Sequence, residues 1–297
     1  MTANPYERDL DQNAANFVPL TPLTFLERSS AIWPNRIAVV HGDLRRTWSQ
    51  TAVRCRRLAS ALTKIGLGKG ATVAFLAANT PELFEAHFGV PLMGGVLNAV
   101  NTRLDPEAVA FILEHGEAKI LFVDREFSKI AEGALALMKE KIPVVDIDDP
   151  QYEGGKLIGS QTYEQFLETG DPEYAWTYPT DEWQAIALNY TSGTTGNPKG
   201  ALYTHRSTVI HALTCCATDV FSMSAEDSVC PIVPMFHVNG WAVPYAAAMS
   251  GTRLVMPGPA LDGASVAKLF NDEGVTFSLG VPTVWLGLIK HMDETGG

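Results

Sequence analysis

Between Tyr190 and Gly200 the chain reads Tyr190-Thr191-Ser192-Gly193-Thr194-Thr195-Gly196-Asn197-Pro198-Lys199-Gly200. Four hydroxyls and two glycines stand ahead of a lysine, with no carboxylate among them. Glycine lets the main chain turn tightly and come close to a ligand. Hydroxyls and successive backbone N–H groups then donate to an anion in the resulting concavity. Lys199 adds a full positive charge. Such a string suits the holding of phosphate.

It is not the G-x-x-x-x-G-K-[ST] loop of the P-loop NTPases, where lysine follows glycine directly and a hydroxyl residue follows the lysine. Here Asn197 and Pro198 separate Gly196 from Lys199, and Gly200 comes next. A second segment, Pro234-Met235-Phe236-His237-Val238-Asn239-Gly240-Trp241, puts one histidine in an apolar setting. A histidine placed like this is more often structural than catalytic, and its neighbours decide its use.

Together these strings resemble the AMP-forming adenylating superfamily: acyl-CoA synthetases, luciferase and the adenylation domains of peptide synthetases. The resemblance extends over most of the chain, through Thr47-Trp48-Ser49, Asn101-Thr102-Arg103-Leu104 and Gly280-Val281-Pro282-Thr283. It implies an acyl-CoA ligase of the medium- or long-chain fatty-acid branch. A ligase for a short substituted acid, such as a methylthioalkanoate, and a non-catalytic nucleotide-binding fragment are the alternatives. The implied substrates are ATP with Mg2+, a carboxylic acid and coenzyme A. The resemblance places Thr191, Ser192, Gly193, Thr194, Thr195, Gly196 and Lys199 around the ATP phosphates. It places His237, Val238, Asn239, Trp241, Gly280 and Val281 in the acyl pocket. Catalytic roles fall to Lys199 and His237. A carboxylate is already a nucleophile at neutral pH, so His237 is expected to orient the acid rather than deprotonate it. Trp241 is similar to a gate over the acyl tunnel; a core tryptophan packed on the next helix is the competing reading. No metal site is expected within the chain beyond a phosphate-loop contact at Thr191. The family's magnesium-binding glutamate, ribose-binding aspartate and small carboxy-terminal domain are not recognisable, so the sequence reads as the amino-terminal part of a member. Homodimers occur in the long-chain branch, which makes one possible here.

Positioning those strings requires a scaffold, and the hydropathy pattern predicts an α/β fold of layered, mostly parallel sheets covered by helices. Apolar strands are expected at Ile37–Asp43, Thr72–Leu76, Lys119–Val123, Pro143–Ile147, Ala185–Tyr190, Ser228–Val233, Arg253–Met256 and Thr276–Leu279. Runs that are apolar throughout suit strands buried on both faces. Thr80-Pro81-Glu82 and Asp105-Pro106-Glu107 each combine a capping side chain, a proline in the first turn and an acid at the positive helix end. Ser49 is the expected cap of a helix whose apolar face is Cys55, Leu58, Ala59, Leu62 and Ile65. Arg54, Arg56 and Arg57 are expected on its solvated side. Further helices are expected from Pro22, at Tyr163–Leu167, from Ser207 to Thr218 and from Pro282. Pro231 suggests that its strand lies at a sheet edge. An irregular arm is expected over 1–20, a first α/β subdomain over 21–178 and a second over 179–297.

Composition narrows the alternatives. The 297 residues are 46% apolar and 19% charged, enough to bury a large core. The formal net charge of −11 disfavours nucleic acid as a partner. Cys55, Cys215, Cys216 and Cys230 form no C-x-x-C pair and read as buried free thiols. The polar start lacks a secretory pattern, and no apolar run reaches the length of a transmembrane span. A cytoplasmic enzyme is the expectation.

Overall fold

The structure is a computed structural model that describes residues 4–191 and 197–296. Ser192, Gly193, Thr194, Thr195 and Gly196, all expected to bind phosphate, lie outside the described residues.

Along the chain, α1 (Leu23–Ile32) leads to β1 (Ile37–His41) and β2 (Leu44–Thr47), an antiparallel hairpin with Gly42 at positive φ in its turn. Next come α2 (Trp48–Lys64), β3 (Thr72–Leu76), α3 (Pro81–Leu92), β4 (Val96–Ala99), α4 (Pro106–His115) and β5 (Ala118–Asp124). They are followed by α5 (Ser128–Leu137), β6 (Val144–Ile147), α6 (Tyr163–Glu168), β7 (Ala185–Tyr190), β8 (Gly200–Thr204) and α7 (His205–Cys216). The last stretch holds β9 (Ser228–Pro231), a single turn α8 (Val238–Trp241), α9 (Val243–Ser250) and β10 (Arg253–Val255). It closes with α10 (Gly263–Asp272), β11 (Phe277–Leu279) and α11 (Pro282–Thr295).

Two sheets result. One runs β6-β5-β3-β4-β7-β8 and the other β11-β9-β10-β1-β2. Every neighbouring pair is parallel except β7–β8 and β1–β2, each of which closes one edge. The mostly parallel, helix-covered architecture is therefore the expected one. Both sheets draw strands from either side of residue 178, since β1 pairs with β10 and β4 with β7.

Side chains alternate across the larger sheet as the strand period of two requires. Val73, Phe75, Ile120 and Phe122 face the main core with α2, α3 and α9. Ala74, Leu76, Leu121 and Val123 face α4 and α5. Val39 of β1 turns to the main core, and Val40 turns to a smaller cluster beside α10 and α11.

Four local expectations are corrected. The cap of α2 is Thr47, not Ser49: its hydroxyl accepts from Gln50 N–H at 3.2 Å and its own N–H donates to the Gln50 side chain at 2.8 Å. This is a capping box, which satisfies two orphan donors at once. Ile65 does not belong to the buried face; it caps the helix and is half-exposed. The strand carrying Pro231 lies inside its sheet, between β11 and β10. Pro231 is its last residue, where a missing N–H interrupts little of the ladder. Lastly, the arginines of α2 are not a solvated face. Arg54 and Arg46 both bind the buried carboxylate of Glu85, at 2.6 and 2.9 Å, and Arg54 also grips Glu164 of α6. Arg57 donates to the carbonyls of Leu167 and Gly170, while the Arg56 guanidinium lies over the Trp176 ring. The four cysteines are free, and all but Cys216 are buried.

Candidate functional site

The phosphate string spans the connection between β7 and β8. Tyr190 is paired with Gly200 across the antiparallel ladder. At the neck, Thr191 N–H donates to the Lys199 carbonyl at 3.0 Å, and Lys199 N–H donates to the Thr191 hydroxyl at 3.2 Å. The string is thus a hairpin loop, and a strand, β8, separates it from α7. The sequence reading missed that strand. The finding strengthens the contrast with a P-loop, whose lysine opens a helix. The Lys199 side chain is exposed and takes no ion pair among the described residues. Below the neck, the Tyr190 hydroxyl is hydrogen-bonded to His115 Nδ1 at 2.7 Å, and burial raises its pKa. The base of the loop is therefore fixed to the end of α4.

The second string follows β9. Asn79, just after β3, clamps it: its amide donates to the carbonyls of Pro231 and Val233 at 2.6 and 2.9 Å, and its side-chain oxygen accepts from Met235 N–H at 2.7 Å. Nothing in the sequence singled out Asn79, because its partners lie more than 150 residues away. His237 is exposed at the end of this clamped stretch, and its carbonyl accepts from Gly240 N–H at 2.9 Å.

From Val238 to Ala242 every φ is positive: 44°, 42°, 59°, 55° and 59°. α8 is therefore a left-handed turn. For L-residues that conformation costs roughly 1–2 kcal/mol each, and only Gly240 is exempt. A side chain at Gly240 would also meet Met235 Cγ at 3.1 Å. Strain of this kind persists only where the surroundings impose it.

Those surroundings are polar and buried. Asn239 accepts from the Asn189 amide at 2.6 Å and approaches His87 Nε2 with its own amide at 3.2 Å. His87 Nδ1 lies 2.7 Å from the Leu83 carbonyl, so Nδ1 carries the proton and Nε2 accepts from Asn239. Burial pushes His87 down to about 4, which keeps it neutral in that tautomer. The chain His87–Asn239–Asn189 thereby joins the left-handed turn to β7, two residues ahead of the phosphate loop.

Trp241 is 39% exposed, and its carbonyl accepts from the Cys215 thiol at 3.3 Å. It is not a core tryptophan. Val238 and Asn239 line a small cavity with Tyr203, His211 and Tyr245. Gly280 and Val281 stand apart from it, beyond β11. The Gly280 carbonyl accepts from the Trp285 indole at 3.1 Å, and a Cβ there would meet Ile232 at 3.1 Å. The structure thus joins the neck of the hairpin loop to the turn after His237, and it sets Gly280 beside the stem that leads to that turn. Among the described residues, no three His, Cys, Asp or Glu side chains come together as a metal site. Among the described residues, no helix is long and apolar enough to cross a membrane.

The family model described as AMP-binding enzyme matches residues 26–296. The chain is 45% identical to the peroxisomal acetate/butyrate–CoA ligase AAE7 of Arabidopsis thaliana, over 84% of this chain and 46% of that protein. It is 44% identical to the medium-chain-fatty-acid–CoA ligase of Ectopseudomonas oleovorans, over 86% of this chain and 47% of that one. Among solved structures, the inhibitor-bound amino-terminal domain of FACL13 from Mycobacterium tuberculosis superposes with a TM-score of 0.78 at 25% identity, covering 89% of this chain and 64% of that one. The chain spans about half the length of the curated relatives it matches.

Proposed function

Because this chain belongs to the AMP-binding enzyme family, we propose that the complete protein is an acid–coenzyme A ligase. In the first half-reaction the carboxylate oxygen attacks the α-phosphorus of ATP; the bond to the β-phosphate oxygen breaks, and pyrophosphate leaves with its electron pair. In the second, the thiolate of coenzyme A attacks the acyl carbonyl and AMP departs. Mg2+ enters as the counter-ion of the ATP phosphates.

The observation that supports this most directly is the hydrogen bond from Asn189 to Asn239. It holds the strand entering the phosphate loop against the turn that follows His237. ATP phosphate and acid carboxylate, bound at those two places, meet with little freedom to lose, and such positioning accounts for much of catalysis by proximity. Lys199 and the loop donors face the charge that develops on pyrophosphate. His237, exposed beyond the Asn79 clamp, orients the acid.

The relatives named above act by their names on acetate or butyrate and on medium-chain fatty acids, at nearly equal identity. Overall likeness is therefore blind to chain length, and the lining of the acyl pocket decides it. The ligase reading is tested with full-length protein by acid-dependent exchange of labelled pyrophosphate into ATP across a panel from acetate to hexadecanoate, then by AMP release with coenzyme A. Lys199→Ala is expected to lower exchange by about 10²–10³-fold, as loss of a charge-stabilising donor does. Exchange that needs no acid, or that is unchanged in Lys199→Ala, overturns the assignment.

A further inference from the structure

The hairpin β7–β8 carries the phosphate loop at one end and borders a cavity at the other. Its ladder runs from Tyr190–Gly200, at the loop, to Ala185–Thr204. At about 3.3 Å per residue, these ends lie roughly 17 Å apart. The end away from the loop is fastened by the His205 N–H, which donates to the Gln184 carbonyl at 3.2 Å. Both residues line a cavity of about 170 Å³ between the hairpin, the turn after α3 and the segment that leads into β7.

Pro91, Met93, Tyr178 and Pro179 give this cavity a largely apolar wall. The Tyr178 ring is anchored, because its hydroxyl donates to the Glu27 carboxylate. His205 is 3% exposed, with Nδ1 paired to the Thr21 hydroxyl at 2.9 Å, and burial lowers it to about 4, so its ring is neutral. The size is that of one ring, since an apolar cavity of about 150 Å³ binds benzene.

One charge stands at this wall. Lys69 lines the cavity, is exposed, and takes no ion pair among the described residues. No Asp or Glu is among the lining residues. The main chain beside Lys69 is fixed: the Gly70 N–H donates to the Gly94 carbonyl at 2.8 Å. Gly94 has a φ of 82°, and a Cβ there would meet Lys69 Cα at 3.2 Å. An apolar recess beside an unpaired ammonium suits an anion with an apolar body. A bare phosphate would leave the apolar wall with nothing to cover.

We propose that this cavity is a binding site, separate from the phosphate loop and the acyl string, for a one-ring aromatic carboxylate whose ring enters the recess and whose carboxylate meets Lys69. Tyr178 and Met93 favour an aromatic ring over a saturated one through ring–ring and sulfur–ring contacts. The site stands independently of the ligase reading.

The test titrates benzoate, benzamide and acetate calorimetrically into full-length wild-type protein, Lys69→Met and Trp241→Ala. Wild type is expected to bind benzoate saturably at or below about 1 mM. Benzamide, which lacks the charge, and acetate, which lacks the ring, should each bind about tenfold more weakly. Lys69→Met should lose about the same tenfold for benzoate and nothing for benzamide, as removal of one charge-assisted contact requires. Lys69 is exposed, so the urea midpoint of Lys69→Met should match wild type. Trp241→Ala should keep the Lys69-dependent binding. No benzoate binding by wild type, equal benzoate affinity in Lys69→Met, or acetate bound as tightly as benzoate overturns the proposal. Benzoate binding lost in Trp241→Ala and kept in Lys69→Met assigns the ligand to the acyl pocket and overturns it too. Pyrophosphate exchange with no acid of the panel refutes the ligase reading alone, because calorimetric binding involves no turnover.

Discussion

The Asn189 amide donates to the Asn239 side-chain oxygen at 2.6 Å, across fifty residues of sequence and in the buried interior. One partner lies in β7 just before the phosphate loop, and the other is the second residue of the left-handed turn. Asn239 tolerates positive φ better than most residues, and its two side-chain bonds fix the turn to β7 and to His87.

Replacing Asn189 with Leu is therefore expected to cost about 1–3 kcal/mol of stability, because it leaves the Asn239 oxygen buried and unpaired. Acid-dependent pyrophosphate exchange is expected to fall at least about tenfold. Combined with Asn239→Leu, the losses should be less than additive, with a coupling of about 0.5–3 kcal/mol. Urea unfolding of the single and double variants measures this; strict additivity refutes the link.

His87 gives a pH signature. Its pKa falls from 6.5 to about 4 on burial, so the folded state resists a proton that the unfolded chain accepts. Stability from this group is complete above pH 6.5 and is lost as pH falls towards 4, by on the order of 3 kcal/mol in total. His205, also lowered to about 4 by burial, acts in the same direction. Asp124, raised to about 7 by burial, acts oppositely, its contribution being complete below 3.8 and lost as pH rises to 7. The difference between wild type and His87→Gln isolates the first group. The stability advantage of wild type should shrink steadily between pH 6.5 and 4, and a constant difference excludes a buried neutral imidazole.

How much of this was legible in the sequence depended on the reach of each interaction. The caps Thr80 and Asp105 stand where expected because a cap is settled within three residues. Thr47 was within reach too, since Gln50 stands three positions on, yet Ser49 offered the same hydroxyl. The strands β2, β4 and β8 were not recognised: β2 and β8 lie at sheet edges, where Leu44–Thr47 carries two arginines and Gly200–Thr204 is largely exposed, whereas β4 is a buried inner strand of only four residues, Val96–Ala99, too short to show a period. Periodicity reads burial over several residues: an edge strand has little burial, and a four-residue strand has little length. The phosphate string stood out by residue type, whereas Asn79, His87 and Asn189 acquire their roles only from partners distant in sequence.

Glu85 illustrates the same distance. It lies 31 residues from Arg54 and 39 from Arg46, is 1% exposed, and also accepts from the Tyr163 hydroxyl at 3.0 Å. Breaking a buried pair leaves an uncompensated charge, which costs about 3–5 kcal/mol. Glu85→Gln removes the buried carboxylate that Arg46 and Arg54 share but leaves Glu164 beside both, so the loss should fall below that full cost, at about 1.5–3 kcal/mol in urea unfolding, the value of hydrogen bonds to a charged group. A change below about 1 kcal/mol, the value of an exposed pair, excludes the buried-cluster account.

Trp241 decides between two roles by magnitude. A tryptophan inside a packed core loses about 3–5 kcal/mol of stability on truncation to alanine. Trp241 is 39% exposed, in a turn that alanine occupies at the same conformational cost. Trp241→Ala is therefore expected to lose well under 3 kcal/mol. If the ring covers the entrance to the acyl pocket, its removal changes how acids of different bulk are bound, and the kcat/KM ratios between acids should shift by about tenfold. Such a shift lies within the roughly 1–3 kcal/mol by which apolar contacts discriminate. The KM for ATP should stay near the wild-type value, since the ring belongs to the acyl string and not to the hairpin loop. Measuring stability and acid profile on one preparation separates the outcomes: a small stability loss with an altered profile supports the gate, and a large loss with an unaltered profile assigns Trp241 to packing alone.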